Sequence, residues 1–190
     1  ATSYDPDFIR NMATIKSFDM FDCLKFNNVN LDLLTETFFT SFYAKYLSQW
    51  KEYCATSYDT SGTIQGYVLG KVEGNKGDEV LKDWHGHVSA VTVAPQFRRQ
   101  GLARALMDYL EEVTIKTHDA YFVDLFVRPS NKIAVGMYQN LGYIVYRTVE
   151  MYYSGEEDAY DMRKAMPKDK KKETLVATKE RIKPAELEYI

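Results

Sequence analysis

The stretch between residues 84 and 127 constrains the fold more than any other part of the chain. Residues 84–93 have the composition of a strand, and apolar residues then recur at helical spacing, which predicts an amphipathic helix over 101–116. Residues 121–127 are almost continuously apolar, which is typical of a strand buried on both faces. This order predicts a strand–helix–strand crossover within an α/β domain.

Shorter signals extend the α/β pattern in both directions. Asp19 is placed to cap a short helix, and either Ser130 or Asn131 caps a later helix that Gly142 ends. The predicted fold class is therefore a mixed α/β (α+β) sheet domain, in which the strands from the first half of the chain are antiparallel. The other predicted elements are a strand at 15–18, a helix at 19–26, a break at 27–30, a helix at 33–50 with a loop near 35–39, a hairpin of 54–57 and 64–72 with its turn at 59–62, and a last long strand at 144–153.

The composition excludes several classes of protein. The chain has 190 residues, 45% of them hydrophobic, which suffices for one domain with a substantial core. Its net charge of −3, from 24 basic and 27 acidic residues, gives no general field for nucleic acid. Two cysteines exclude a disulfide framework and a four-cysteine zinc module, and neither a membrane span nor a secretory signal is evident. We therefore expect a cytoplasmic protein without nucleic-acid or membrane partners.

The two ends of the chain differ from its middle. Residues 1–11 include a turn-forming Asp-Pro-Asp segment and precede Met12, so we expect a flexible or non-native extension. Residues 167–190 contain a lysine run and few apolar side chains, which predicts a polar, solvated tail, with a ribosome-facing or targeting patch as the alternative. The predicted folded domain is 12–166.

The join between the strand at 84–93 and the helix at 101–116 has the chemistry of an anion site. Pro95 ends the strand, and an Arg-x-x-Gly-x-Ala loop opens the helix. Backbone N–H groups and the positive end of the helix dipole point out of such a loop, and Gly101 allows close approach of an anion. A nucleotide P-loop is absent, and a plain helix start with surface arginines is the alternative. The candidate anion-binding residues are Arg98, Arg99, Gln100, Gly101, Leu102 and Ala103.

A second motif follows the buried strand. Ala134 and Tyr138 share a helix face, and Leu-Gly-Tyr at 141–143 turns the chain into the next strand. Together the two motifs resemble the GCN5-related N-acetyltransferase (GNAT) superfamily. The resemblance implies a GNAT acyl-CoA N-acyltransferase fold with acetyl-CoA between the strands that end at Val93 and Val127. It further implies pantetheine beside Val91, Thr92 and Val93, pyrophosphate on the amides of 98–103, and cofactor contacts from Asn131 and Tyr138.

Four further segments, 26–38, 84–88, 123–128 and 158–165, closely resemble the NatB catalytic-subunit family of N-terminal acetyltransferases. The resemblance covers roughly 12–166. It implies acetylation of the α-amine of nascent proteins that begin Met-Asp, Met-Glu, Met-Asn or Met-Gln, on ribosomes and with a large helical-repeat auxiliary subunit. Apolar groups on more than one face of 33–50 favour such a partner. Phe38 departs from the tyrosine of the animal enzymes, which removes a hydroxyl from that position.

The chemistry that we expect is direct attack of a peptide α-amine on the thioester in a ternary complex. An α-amine has a pKa of about 7.7–8.0 and a lysine amine about 10.4, so the α-amine is the easier nucleophile. Tyr138 is the candidate acid for the departing thiolate, Glu36 could orient or deprotonate the amine through water, and a strand amide near Val91 could stabilise the oxyanion. A core-filling role for Tyr138 and an ordinary surface role for Glu36 are the alternatives.

The substrate-binding candidates follow from strand alternation and from the family resemblance. His87 and Ser89 point to one strand face, where the imidazole of His87 can meet the carboxylate or amide of peptide residue two; we group His87 with the catalytic candidates. His85 shares that face, but no third and fourth ligand presents itself, so no metal is predicted. The remaining candidates are Leu33 and Phe38, which would bind the first methionine, and Tyr152 and Tyr153, which would form a lid over the peptide. Because a regular strand places neighbouring side chains on opposite faces, only one of the two tyrosines would reach the peptide.

Two other functions stay open at this point. The chain could acetylate internal lysines or a small polyamine, which peptides with free or blocked α-amines would distinguish. It could also be a non-catalytic scaffold that binds acetyl-CoA, although Gly101 and Tyr138 are both present.

Overall fold

The computed structural model describes residues 13–32, 35–177 and 179–188, and within these it contains eight strands and four α-helices. The strands are β1 (Thr14–Ser17), β2 (Ala55–Tyr58), β3 (Ile64–Glu73), β4 (His85–Val93), β5 (Phe122–Val127), β6 (Ile144–Tyr153), β7 (Glu157–Ala165) and β8 (Arg181–Ile182). The helices are α1 (Asn27–Asn30), α2 (Thr40–Gln49), α3 (Leu102–Lys116) and α4 (Lys132–Asn140).

Hydrogen bonding orders the strands β1-β2-β3-β4-β5-β7-β6-β8. The pairs β1–β2, β2–β3, β5–β7 and β6–β7 are antiparallel, whereas β4–β5 and β6–β8 are parallel. The sheet is therefore mixed, and α3 forms the crossover between the parallel strands β4 and β5. Each described helix is too short or too polar to cross a membrane.

The chain divides into two compact units. The first comprises the described residues of Ala1–Lys71 and Ser89–Val113, and the second those of Val72–Val88 and Thr114–Ile190. The core of the first unit is aromatic: Phe18, Phe26, Tyr43 and Tyr67 pack with ring centroids 5.3–6.4 Å apart. Edge-on and tilted ring contacts of this kind add to the stability from apolar burial.

The core of the second unit contains buried ion pairs as well as apolar side chains. Met162 of β7 is fully buried, and Asp161 beside it is equally inaccessible. The Asp161 carboxylate accepts hydrogen bonds from Arg147 at 2.9 Å and from Arg163 at 3.2 Å. A buried carboxylate needs such partners, so β6 and β7 are joined through side chains as well as through their backbone ladder.

Several sequence-based expectations are confirmed. The crossover through α3 is present, and Asp19 accepts from Phe21 N as the N-cap of a short 3-10 helix, Met20–Leu24. In the predicted hairpin turn, the Asp59 carboxylate accepts from the backbone N–H groups of Ser61 and Thr63. Asn131 is the cap of α4, with its side chain accepting from Ala134 N at 3.1 Å.

Two expectations about local structure are wrong, and one is confirmed in part. The segment 27–30 is the short helix α1 rather than a break, because Asn28 donates to the Ile64 carbonyl and Asn30 to the Tyr43 hydroxyl. The loop expected near 35–39 within the helix over 33–50 is present, so that the helix, α2, begins at Thr40. The strand at 144–153 is not the last one, since β7 follows and lies between β5 and β6.

The segment after residue 166 is not a solvated tail over its described residues. Ile182 of β8 is only 4% exposed and packs with Val149 and Ala159. The Glu188 carboxylate accepts from Arg147 at 2.7 Å. The lysine run itself is exposed. The domain boundaries at 12 and 166 remain predictions, and residues 1–11 lie outside the described part of the chain.

Candidate active site

The loop between β4 and α3 has an unusual backbone. After a 3-10 turn at Pro95–Phe97, Arg99 and Gly101 both adopt left-handed conformations, with φ of 64° and 84°. Glycine adopts this conformation without the steric cost that a β-carbon brings. The loop leads directly into Leu102 at the start of α3. The first N–H groups of a helix lack intrahelical acceptors, so this loop can present them to an anion.

Arg98 is held within the loop and is not a free surface cation. Its Nε donates to the carbonyl of Val93 at 3.0 Å, and its guanidinium forms an ion pair with Asp32. The neighbouring side chains of Arg99 and Gln100 are exposed. A ligand at this loop would therefore contact backbone N–H groups and Arg99, whereas Arg98 stabilises the conformation of the loop.

The segment that carries Glu36 is attached to the predicted cofactor strand. Thr35 and Thr92 share a hydrogen bond of 2.7 Å between their hydroxyls. Glu36 itself is exposed and lies in a loop, as the expectation of a loop near 35–39 allows. The predicted cofactor strand and the predicted peptide-binding loop thus meet within the first unit.

Two other peptide-binding candidates of the first unit contact its interior. The ring of Phe38 stacks on Phe42 with centroids 4.0 Å apart, and Phe38 packs against the aromatic core. Ser89 shares a hydrogen bond of 2.7 Å with the Tyr46 hydroxyl. Leu33, the other candidate for the methionine pocket, lies outside the described residues.

In the second unit, four ionisable side chains form a cluster that the sequence predicts only in part: Glu73 on β3, His85 and His87 on β4, and Asp124 on β5. His87 Nδ1 is 2.7 Å from Asp124 Oδ1, because the two residues are partners in the parallel register. The other oxygen of Asp124 is 3.5 Å from His85 Nε2, and Glu73 Oε1 is 3.6 Å from that nitrogen. Asp124 therefore faces both imidazole rings.

Gly86 fixes which face of β4 carries the two histidines. A β-carbon at Gly86 would lie 2.4 Å from Thr114 Oγ1 on α3, closer than atoms can approach. The glycine therefore faces the helix, and His85 and His87 project from the opposite face of the strand, as alternation requires. Three residues of the cluster, Glu73, His85 and Asp124, line a cavity of about 270 Å³ together with Phe126 and Arg163.

The surroundings of His85 require a positively charged ring. Its Nδ1 is 2.5 Å from the Asp83 carbonyl oxygen, and its Nε2 faces two carboxylates. These oxygens only accept, so both ring nitrogens must carry hydrogen. Burial alone lowers the pKa of His85, but the Asp124 carboxylate and the other acceptors outweigh burial and raise this pKa to about 10. For Asp124, burial acts to raise the pKa, but the two histidines hold it well below its usual range.

The geometry also bears on the argument about metal ligands. Glu73, His87 and Asp124 each bring one ligand atom within 4.8 Å of the others, so these three residues could hold a small cation. The sequence argument is that no third and fourth ligand presents itself beside His85 and His87; the structure brings two carboxylates near His87 but gives a set of three residues, so the expectation that no metal is used stands. The sequence argument considers β4 alone, whereas the two carboxylates come from other strands.

Tyr138 is buried on α4 and has a hydroxyl available for chemistry. The residue is 7% exposed, and its ring packs edge-on against Tyr143 with centroids 5.9 Å apart. Burial, and secondarily the neighbouring Tyr153, raise the pKa of Tyr138, so its proton is retained at neutral pH.

Tyr152 and Tyr153 do not point to opposite faces, as a regular strand would require. Met151 has a φ of 50°, and the register of β6 with β7 shifts between Val149 and Tyr153. The two tyrosine rings consequently touch edge-on at 5.1 Å. Tyr152 also contacts Phe126 at 4.8 Å, whereas Arg128 stacks on the Tyr153 ring at 4.0 Å.

A row of rings links the lid candidate to the histidine cluster. Phe126 contacts Tyr152 on one side and the His87 ring at 5.6 Å on the other. Of the predicted residues in the second unit, the structure thus brings His87 and Tyr152 together through Phe126. Asn131 is apart from this row, with its side chain used as the cap of α4.

Glu73 and Asp124 are the site residues that sequence reasoning missed, and His85 was weighed there only as a metal ligand. One signal was available: Asp124 is the charged residue of the strand Phe-Val-Asp-Leu-Phe-Val. Buried carboxylates are rare without partners, and the two histidines of β4 are the natural candidates. The contribution of Glu73 depends on β3 lying beside β4, which the local sequence does not reveal.

Comparison with known proteins identifies relatives of this chain. A profile of the Acetyltransferase (GNAT) family matches residues 24–143. The N-terminal acetyltransferase B complex catalytic subunit NAA20 of Arabidopsis thaliana is 52% identical over 178 residues, which cover 94% of this chain and 99% of that protein. The crystal structure of Chaetomium thermophilum Naa20 in complex with a bisubstrate analogue matches with a TM-score of 0.81 and 39% identity, over 90% of this chain and 97% of that one.

A structure of the NatB acetyltransferase complex bound to a bisubstrate inhibitor matches with a TM-score of 0.80 and 38% identity, over 92% of this chain and 98% of that one. The predicted GNAT fold is confirmed by the family profile and by these structures. The chain therefore belongs to the GNAT acetyltransferase family and, within it, to the NatB catalytic subunits.

Proposed function

We propose that this chain transfers the acetyl group of acetyl-CoA to the α-amine of the initiator methionine in proteins that begin Met-Asp, Met-Glu, Met-Asn or Met-Gln. The proposed substrates are nascent chains on cytoplasmic ribosomes. The observation that carries the proposal is the loop between β4 and α3, where left-handed Arg99 and Gly101 precede the first N–H groups of α3. This is the part of the chain best suited to the pyrophosphate of coenzyme A.

In the proposed cofactor site, the backbone of Val91–Val93 pairs with pantetheine, and the amides of 98–103 bind the pyrophosphate. The ion pair of Arg98 with Asp32 supports this arrangement, because it holds the loop against the segment that precedes Glu36. The Thr35–Thr92 hydrogen bond joins the residue before Glu36 to strand β4. These two contacts hold the proposed cofactor strand and the proposed peptide-binding loop in a fixed arrangement.

The proposed reaction is direct attack of the neutral α-amine on the thioester carbonyl. The amine nitrogen forms a bond to the acetyl carbon, the carbon–sulfur bond breaks, and the amine loses a proton through water near Glu36. Tyr138 donates a proton to the departing thiolate; burial raises its pKa, so the hydroxyl still carries its proton when the thiolate leaves. Since an α-amine near 7.7–8.0 is partly neutral at physiological pH, a weak base suffices.

For recognition of the second residue we propose His87. Its Nδ1 is engaged by Asp124 at 2.7 Å, which leaves Nε2 for a side chain of the peptide. Acidic side chains and their amides all offer an oxygen acceptor to an N–H group. We propose Tyr152 as the lid residue, because it is 37% exposed and is joined to His87 through Phe126. Tyr153 is the less suitable of the two tyrosines, because Arg128 stacks on its ring.

For the auxiliary subunit we propose a docking surface on the first unit, formed by Phe21, Leu24, Leu31 and Phe39. Their exposed fractions are 70%, 77%, 82% and 87%, unusual for large apolar side chains so close in sequence. The 3-10 helix that carries Phe21 and Leu24 packs against α2, which Phe39 precedes. The apolar groups of α2 itself pack inward, so the surface differs from the helix face that the sequence predicts.

A peptide panel tests the proposed function. The chain, co-expressed with its auxiliary subunit, is assayed with acetyl-CoA and peptides that begin Met-Asp or Met-Ala, and with a Met-Asp peptide whose α-amine is blocked and which contains an internal lysine. We expect transfer to Met-Asp, much less to Met-Ala, and none to the blocked peptide. Transfer to the blocked peptide at a comparable rate would identify a lysine acetyltransferase instead.

A further inference from the structure

The C-terminal segment 179–188 is attached to the hairpin of β6 and β7, although the reaction proposed above gives this segment no task. Its strand β8 pairs in parallel with β6. At the other end of the segment, Glu188 accepts two hydrogen bonds from the Arg147 guanidinium, at 2.7 and 3.2 Å. The segment is therefore docked against the same hairpin that carries the proposed lid.

We propose that β8 supports the peptide lid, and that Arg181 and Ile182 of β8 are positioning residues for Tyr152. The inference rests on the function proposed above, in which Tyr152 closes over the peptide. The lid depends on an irregular backbone in β6, where left-handed Met151 allows the rings of Tyr152 and Tyr153 to touch. A non-glycine residue keeps such a conformation only where its surroundings enforce it.

Arg181 reaches this irregular backbone through side chains of both strands of the hairpin. Its Nε donates to Glu150 Oε1 on β6 at 2.9 Å, and its Nη2 donates to Asp158 Oδ2 on β7 at 2.8 Å. The other oxygen of Asp158 accepts from the backbone N–H of Met151 at 3.0 Å. Because a guanidinium is planar and rigid, Arg181 holds the Asp158 carboxylate in place and thereby supports the left-handed conformation of Met151.

Ile182 supports the hairpin from its buried side. The residue is 4% exposed and packs with buried residues of β6 and β7 in a small apolar cluster, against which Phe126 and Tyr153 also pack. These two rings are neighbours of the Tyr152 ring, at centroid distances of 4.8 and 5.1 Å. Ile182 therefore completes the apolar cluster on which two contacts of the lid residue rest.

Loss of this support should affect the peptide more than acetyl-CoA. The lid and β8 both belong to the second unit, whereas the loop at 98–103, to which we assign the pyrophosphate, belongs to the first. A lid without a fixed backbone has to be ordered when the peptide binds, and this ordering costs affinity. The KM for the peptide should therefore rise, while the KM for acetyl-CoA stays the same.

The test measures both KM values for Arg181→Gln in the full chain co-expressed with its auxiliary subunit, with a Met-Asp peptide and acetyl-CoA as substrates. The Arg181 side chain is 59% exposed, so the variant should fold. The matched control is Lys171→Gln, which also removes one positive charge from the chain after residue 166. The Lys171 side chain is 83% exposed and lies 3.8 Å from Glu173, a residue outside the hairpin.

We expect Arg181→Gln to raise the KM for the peptide about fivefold, because two exposed ion pairs are lost, and to leave the KM for acetyl-CoA within about twofold. Lys171→Gln should change neither value. Ile182→Ala, which removes a buried contact, should raise the KM for the peptide about tenfold, again without an effect on acetyl-CoA.

A lid variant separates positioning from a general structural role. In a Tyr152→Ala background, Arg181→Gln should raise the KM for the peptide no further, because Arg181 acts through the lid. If Ile182→Ala does not fold, the comparison of Arg181→Gln with Lys171→Gln decides alone.

Three results would overturn the inference while leaving the acetyltransferase function intact. They are a KM for the peptide within about twofold of the unmodified value in either variant of β8, an equal rise in the KM for both substrates, and an undiminished effect of Arg181→Gln in the Tyr152→Ala background. No transfer to the peptide by the unmodified complex would instead contradict the proposed function itself.

Discussion

His85→Gln is the substitution whose effect on stability follows most directly from the structure. His85 is 2% exposed, with Nδ1 at 2.5 Å from the Asp83 carbonyl and Nε2 near the carboxylates of Asp124 and Glu73. Glutamine retains a polar side chain but no charge. The substitution therefore removes the cation that compensates Asp124 in the second unit.

The size and the pH dependence of this effect can be worked out together. The folded-state pKa of His85 is about 10, above its ordinary value of 6.5. A raised pKa contributes stability that is fully present below about pH 6.5 and is lost as the pH rises through about 10. At 1.36 kcal/mol for each pKa unit, the ceiling is about 5 kcal/mol, and removal of one partner of a buried ion pair costs about 3–5 kcal/mol. We therefore expect a loss of about 3–5 kcal/mol near neutral pH.

Urea unfolding of both proteins between pH 6 and pH 10, followed by tryptophan fluorescence, measures this loss. The difference in unfolding free energy should be largest at the acidic end and shrink as the pH approaches 10, because the unmodified histidine then loses its own charge. His118→Gln, a histidine of the same unit outside the cluster, controls for removal of an imidazole. A difference that stays constant across this pH range would refute the assignment of a charged His85.

Three further predictions concern the loop, the acid and the docking surface. Tyr138→Phe should lower kcat about a hundredfold at unchanged peptide KM; an unchanged kcat would remove Tyr138 from the mechanism. Gly101→Val should raise the KM for acetyl-CoA but not for peptide, because a β-branched residue at a φ of 84° is strained; an equal rise in both KM values would argue against a cofactor loop. Phe39→Asp should prevent co-purification with the auxiliary subunit without changing the melting temperature, since the side chain is 87% exposed; retention of the partner would exclude Phe39 from the interface.

The elements that the sequence predicts well are those whose signals are local. The periodicity of α3, the cap at Asp19 and the turn at Asp59 each depend on residues a few positions apart, and all three are present. β7 escaped prediction because its pattern includes Asp161 and Arg163, charged residues that are tolerated inside the unit only through their pairing. β8 has two residues and exists only because β6 offers it a parallel partner.

The same distinction between local and long-range signals applies to the residues of the candidate site. The loop at 98–103 is contiguous, so its left-handed turn could be anticipated from the glycine. The histidine cluster draws on β3, β4 and β5, and the partners of His87 become visible only when those strands are paired. The contact between Tyr152 and Tyr153 likewise depends on an irregular backbone at Met151, which period-two alternation does not predict.

Calorimetric titration of coenzyme A into the purified complex of this chain with its auxiliary subunit tests the central claim most directly. If the loop between β4 and α3 seats a pyrophosphate, the titration should show saturable binding at one site per chain, weakened in the Gly101→Val variant. Absence of any binding at millimolar coenzyme A would contradict the assignment of the cofactor site and the acetyl-transfer function that depends on it.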